Sequence, residues 1–175
     1  MSEDLSVLLV TGAVGAGKTT IARAAGDLLA ARGIARAVID LDAIREFWPS
    51  PPDDPFCTAL TLRNLRALGE NYRVAGARRL ILAGVIESPG ERETHRAALG
   101  GAPLTVCRLL APVPTLQRRV TEREDDDSRL WHVARAAELT AILDAAAVED
   151  FTVSNDGPVP ADVARAVLDR AGWLV

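Results

Sequence analysis

Val7-Leu8-Leu9-Val10-Thr11-Gly12-Ala13-Val14-Gly15-Ala16-Gly17-Lys18-Thr19-Thr20 runs from four continuous apolar residues, through three glycines, to a lysine and two threonines. The apolar start, residues 7–10, suits a strand buried on both faces. The glycines permit a backbone curl in which successive N–H groups point inward. Beyond Thr19, the residues Ile21, Ala24, Ala25, Leu28 and Leu29 recur at helical spacing, and Gly33 supplies a stop. The start of that helix adds unpaired N–H groups and the positive end of its dipole, so the whole unit is suited to hold an anion. Gly12 to Thr19 matches G-x-x-x-x-G-K-[ST] at every fixed position. The spacing therefore predicts a cradle for the phosphates of a nucleoside triphosphate, MgATP in the first instance. Gly12, Ala13, Val14, Gly15, Ala16, Gly17 and Thr20 would line it, Lys18 would reach the β- and γ-phosphates, and the Thr19 hydroxyl would ligate Mg²⁺.

Working outward, residues 35–41 form a second strand candidate, and Pro49, Pro51, Pro52 and Pro55 make 49–56 a loop. Residues 58–77 have helical periodicity, 79–86 and 104–110 are apolar strands, and 114–124 and 128–147 are helices around the acidic run 124–127. A short strand at 151–154 precedes a turn at Asn155-Asp156-Gly157-Pro158 and a last helix from about 160 to 171. This alternation predicts a single α/β domain over residues 1–175, three-layered, with a five-stranded parallel sheet. Ligands of such sheets gather beyond the carboxyl ends of the strands. Asp40–Asp42, Glu87 and Asn155–Gly157 fall there together with Gly12.

Bulk properties exclude several classes. The 175 residues are 49% hydrophobic and 25% charged, with a net charge of −4, which argues against a protein that coats nucleic acid. The apolar runs are too short for a membrane span, and the first residues lack the basic stretch of a signal peptide. The expectation is a cytoplasmic protein, monomeric or homodimeric, with Cys57 and Cys107 as buried thiols. No N-K-x-D string for guanine occurs, which disfavours a GTPase.

Asp40 and Asp42 close the second strand on one side of it, with Arg45 following. Two carboxylates at the mouth of a phosphate site can divide the work of holding Mg²⁺ and accepting a proton from a hydroxyl. Here the chain resembles the small-molecule kinases of the nucleoside-monophosphate-kinase-like group, among them shikimate kinase, gluconate kinase and chloramphenicol phosphotransferase. Ile39-Asp40-Leu41-Asp42 is similar to the shikimate-kinase pattern, which implies that Asp42 contacts the acceptor hydroxyl. Asp42-Ala43-Ile44-Arg45 is similar to the adenylate-kinase pattern, which implies that Arg45 grips an acceptor phosphate. The third strand departs from that pattern, because Ala83 stands where adenylate kinases carry aspartate. Glu87 lies nearby, so Asp40, Asp42 and Glu87 all remain candidates for the base.

Arg119 and Arg123 are four apart and share a helix face. The resemblance implies a short helical lid at about 115–135, with Arg119 stacking on adenine and Arg123 reaching the transferring phosphoryl group. Arg118 is an alternative to Arg119. It also implies that the turn containing Asp156 packs against adenine. Arg63, Asn64, Arg66, Asn71, Tyr72 and Arg73 occupy the helix where an acceptor would bind, whereas Trp131 reads as a packing residue. The expected activity is transfer of the ATP γ-phosphoryl group to a hydroxyl of a small molecule. Lys18, Asp42 and Arg123 would be catalytic, Thr19 and Asp42 would hold the metal, and Asp40, Asp42, Arg45 and Glu87 would meet the acceptor. The alternatives are a nucleoside monophosphate acceptor, or a nucleotide-binding regulator with little transfer.

Overall fold

Continuous apolar runs at the centre of the chain's strands require cover on both faces, and the computed structural model shows how that cover is arranged. It describes residues 5–123, 128–157 and 159–174. Five strands, β1 (Ser6–Thr11), β2 (Arg36–Asp40), β3 (Arg79–Ala83), β4 (Leu104–Leu110) and β5 (Phe151–Ser154), form one parallel sheet in the order β2-β3-β1-β4-β5. Alternation along β1 sends Leu8 and Val10 into one core and Val7 and Leu9 into the other. Helices α1 (Lys18–Ala30) and α7 (Pro160–Arg170) cover the first face. The second is covered by α3 (Thr58–Val74) and α4 (Pro89–Ala98), with α2 (Leu41–Arg45) at the end of β2. The remaining pair, α5 (Val113–Arg123) and α6 (Ser128–Ala146), pack on each other and deliver Leu116, Ala136, Leu139 and Leu143 to the first core.

The expected α/β fold is therefore present, with differences at its edges. β3 ends at Ala83 rather than at residue 86, and β2 ends at Asp40 because Leu41 already begins α2. The unanticipated α4 begins at a Ser88 cap that accepts from the Glu91 N–H, with Pro89 in the first turn. Those are helix-start signals that Gly90 obscures in the sequence. The acidic run 124–127 and Pro158 lie outside the described residues.

Two polar anchors set the helices around the sheet. Arg108, buried on β4, donates to Asp144 at 2.6 Å and to the Thr140 carbonyl at 3.3 Å, tying α6 to the strand. Arg92 on α4 donates to the Val148 and Leu104 carbonyls and to Asp150. Both cysteines are buried and free, and burial pushes the Cys107 thiol up to about 12, so it is inert as a nucleophile. No helix among the described residues is long and apolar enough to cross a membrane.

Leu82 is fully buried in the second core. Leu82→Ala should cost about 3 kcal/mol of stability through lost transfer energy and a residual cavity, read as a lowered urea midpoint. A loss below ~1 kcal/mol would show that the sheet's second face is not packed as described.

Candidate active site

The loop between β1 and α1 is pinned from three directions. Gly15 has φ +82°, and a Cβ placed there would lie 2.5 Å from the Leu116 carbonyl oxygen, so α5 abuts the loop backbone itself. Gly17 caps α1 in the left-handed conformation, and a Cβ there would come within 2.7 Å of Asn155 Nδ2. Asn155 is buried at the end of β5 and donates to the Ala16 carbonyl at 2.8 Å, while its own N–H donates to the Leu110 carbonyl. Thr11 is fully buried and accepts from the Ile86 N–H, joining the base of the loop to the segment after β3.

Lys18 arches back over this loop and donates to the Gly12 and Ala13 carbonyls at 3.1 and 3.2 Å. Burial lowers its pKa from the ordinary lysine value, with Arg123 adding in the same direction, while Asp42 and Asp40 oppose the shift. Arg123, Asp42 and Asp40 thus all act electrostatically on Lys18, although the four come from three separate segments of the chain. The Thr19 hydroxyl donates to Asp40 Oδ2 at 2.7 Å, and Asp40 Oδ1 accepts from the Asp42 N–H at 3.0 Å. One carboxylate both caps α2 and reaches α1.

The sequence expectation gave the metal to Thr19 and Asp42; the hydrogen bond that Thr19 makes is to Asp40. Asp42 is exposed and pairs with Arg45 at 3.5 Å. Thr19 and Asp40 are the side chains suited to a hard divalent cation, which takes one or two protein oxygens and otherwise keeps water and phosphate ligands. No group of three or more His, Cys, Asp or Glu side chains with metal-like placement occurs among the described residues.

Of the arginines, Arg119 faces the loop, donating to the Gly15 carbonyl at 3.5 Å, whereas Arg118 is exposed and pairs with Glu122. Thr20 is exposed on the first turn of α1, and Asp156 is exposed one residue beyond Asn155. Glu87 is held by Arg135 of α6 at 2.8 Å, and Arg135 also pairs with Glu138 at 3.0 Å. Asn64 donates to the Ile44 carbonyl at 2.7 Å and docks α2 on α3. Arg66 and Arg73 line a groove of about 680 Å³ beside Leu5 and Pro103, at the opposite edge of the sheet. They are remote from the loop, and Arg63 is exposed. Asn155 and Arg135 were not singled out as individual site residues from sequence. The signal for Asn155 was its place at a strand's carboxyl end; Arg135, inside a long helix of mixed polarity, left none.

Asn155→Ala would remove the clip on the Ala16 carbonyl, and we expect about tenfold weaker MgATP binding in a titration, from an unpaired buried acceptor and a looser loop. A change under twofold would deny Asn155 that role. A second expectation follows from Lys18. In the free protein its pKa is depressed, and bound phosphates favour the charged form and raise it. Between those two values nucleotide binding takes up a proton, and affinity falls as pH rises through the window. Calorimetry of MgAMPPNP binding at about pH 9, below the ordinary lysine value, should show proton uptake as a buffer-dependent enthalpy, and Lys18→Met should lack it.

No curated protein sequence matches the chain significantly. Among solved structures, it is similar to the Deinococcus radiodurans tunicamycin resistance protein (18% identity, 96% of each chain, TM-score 0.67). It is also similar to the Mycobacterium tuberculosis APS kinase CysC in complex with AMPPNP and APS (21%, 97% and 98% of the two chains, TM-score 0.62). The Acinetobacter baumannii shikimate kinase in complex with shikimate superposes over 99% of this chain and 97% of that one (19%, TM-score 0.61). At such identities these likenesses establish the α/β P-loop kinase fold. Residues 4–142 match the family model described as adenylylsulphate kinase, most of the chain, and the protein belongs to that family of P-loop kinases.

Proposed function

We propose that this chain transfers the γ-phosphoryl group of ATP to a hydroxyl of a small molecule. The observation that carries the reading is the convergence of Lys18, the Thr19–Asp40 pair, Asp42 and Arg123 at the carboxyl edge of the sheet. The M. tuberculosis relative was solved with AMPPNP, which supports ATP as the donor.

In this reading the loop N–H groups from Gly12 to Gly17 hold the phosphates, with Thr20 on the first turn of α1 beside them. Lys18 exchanges its carbonyl partners for phosphate oxygens. Thr19 and Asp40 would hold Mg²⁺, and the ion would supply charge neutralisation for the phosphates. Arg119 and Asp156 flank the nucleotide base, from α5 and from the end of β5. The acceptor oxygen forms a bond to the γ-phosphorus as the bond to the β,γ-bridging oxygen breaks, and that electron pair leaves with ADP. The hydroxyl proton passes to Asp42, which is exposed in the first turn of α2, while Lys18 and Arg123 balance charge on the moving group. Arg135 holds Glu87 at 2.8 Å, a closer and less exposed pair than Asp42 makes with Arg45 at 3.5 Å, so we assign the proton to Asp42 and give Glu87 a positioning role. The α5–α6 pair acts as the lid.

ADP release in the presence of a productive acceptor tests this. Lys18→Ala should lower kcat at least ~100-fold, and Asp42→Asn about 10²–10⁴-fold at unchanged KM for ATP. Asp40→Asn should instead raise the Mg²⁺ concentration needed for half-maximal rate. Wild-type turnover in Lys18→Ala would refute the reading.

A further inference from the structure

The groove of about 680 Å³ at the amino edge of the sheet belongs to no part of the site described above. Leu5, just before β1, and Pro103, just before β4, line it. The six residues of β1 put about 20 Å between that edge and the phosphate loop. Its volume lies within the range of about 300–1,000 Å³ usual for small-molecule sites. One wall is the last two turns of α3, and the other is the end of α4 with the turn that follows it. A Cβ on Gly69 of α3 would lie 2.6 Å from Leu99 Cδ2, so that glycine brings the two walls together. Beyond Leu99, Gly100 and Gly101 turn the chain towards β4 with φ +69° and +79°. Ala97, Ala98 and Ala102 present only methyl groups, and the space that larger side chains would fill is left to the groove.

The polar groups of these walls are matched, with one exception. Arg66, Glu70 and Arg73 are spaced to share a face of α3 with Gly69. Arg73 donates to both oxygens of Glu70, at 2.9 and 2.7 Å, so the one carboxylate on that face is taken. On the other wall the Gly100 and Gly101 N–H groups donate to the Ala97 and Arg96 carbonyls. Arg96 behind them donates to both oxygens of Glu93 and to the Gly101 carbonyl. Arg66 lines the groove and has no hydrogen-bond or ion-pair partner among the described residues. A lone exposed arginine is ordinary. This one stands over an apolar concavity in which it is the unbalanced charge. One guanidinium balances one negative charge, and its planar fork matches a carboxylate. A phosphate ester carries nearly two charges at neutral pH. We infer that the groove binds a small carboxylate monoanion with a compact apolar body, its carboxylate on Arg66 and its body against Leu5, Leu99 and Pro103. This site is separate from the phosphate loop, and the inference does not depend on the kinase reading.

Calorimetry on the full chain tests this with two probes, 2-naphthoate and its neutral counterpart 2-naphthalenemethanol, which share a ring system and differ in charge. We expect saturable binding of one 2-naphthoate per chain, at least ~10-fold tighter than that of the alcohol. Arg66→Gln should bring the two affinities within about twofold of each other by weakening the carboxylate alone. Ala97→Trp should fill the groove and abolish binding of both. Arg66 and Ala97 are exposed, so both variants should keep the wild-type thermal midpoint. Saturating MgAMPPNP should leave the affinity for 2-naphthoate unchanged, because the groove is remote from the loop. Absence of saturable 2-naphthoate binding, or equal affinity for the two probes in the wild type, overturns the inference. So does wild-type affinity for 2-naphthoate in either folded variant. Displacement of 2-naphthoate by MgAMPPNP would put the carboxylate on the phosphate loop and overturn it equally.

Discussion

The contact between the Leu116 carbonyl and Gly15 governs where everything else at this edge of the sheet can go. A Cβ at 2.5 Å from that oxygen is excluded, so the two backbones meet with no side chain between them. The approach sets the depth at which α5 lies against the loop. Arg119 and Arg123 then follow one and two turns along the same helix, and both act on the loop, through the Gly15 carbonyl and through Lys18. A single missing methyl group thus determines how a cationic helix addresses a phosphate site.

The other side of the loop is organised by a carboxylate that performs two tasks. Asp40 accepts from Thr19 with one oxygen and caps α2 with the other. Its strand neighbour in the register is Ala83, which in turn pairs with Val10 of β1. The acidic side chain absent from the end of β3 is therefore supplied from one strand further out. Because Asp40 also starts α2, Asp42 falls in the first turn of that helix, where the proposed reading has it meet the acceptor. A charge-assisted hydrogen bond of this kind contributes about 1.5–3 kcal/mol net, enough to hold Thr19 and β2 in one arrangement.

What could be read from the chain follows from the range of the signals. The β1–loop–α1 unit is contiguous, and its apolar run, glycines and helical spacing agree with one another, so its place in the fold was evident. The assignment of Thr19 to Asp40 rather than Asp42 was not, because both carboxylates share a strand side until the chain turns into α2 at Leu41. Short apolar strands carry enough β-branched and leucine content to be recognised, but α4 is largely polar and was missed. Arg135 and Asn155 act across 48 and 139 residues of chain respectively. No local pattern encodes a partner that far away.

The same reasoning separates the two halves of the site. The donor half depends on backbone geometry, on glycines and on N–H groups, and such requirements tolerate little variation; a short motif announces them. In the proposed reading the acceptor half would be made of side chains beyond the ends of β2 and β3, where no tight turn over a ligand constrains them. Two ion pairs, Asp42 with Arg45 and Glu87 with Arg135, stand there. Any wall that keeps the Asp42 carboxylate accessible is compatible with the same phosphate loop, so relatives of one fold can differ in acceptor while sharing the donor. Under the kinase reading, substrate choice would rest with the side chains around the acceptor rather than with the phosphate loop. The glycines that define its fold leave that choice open.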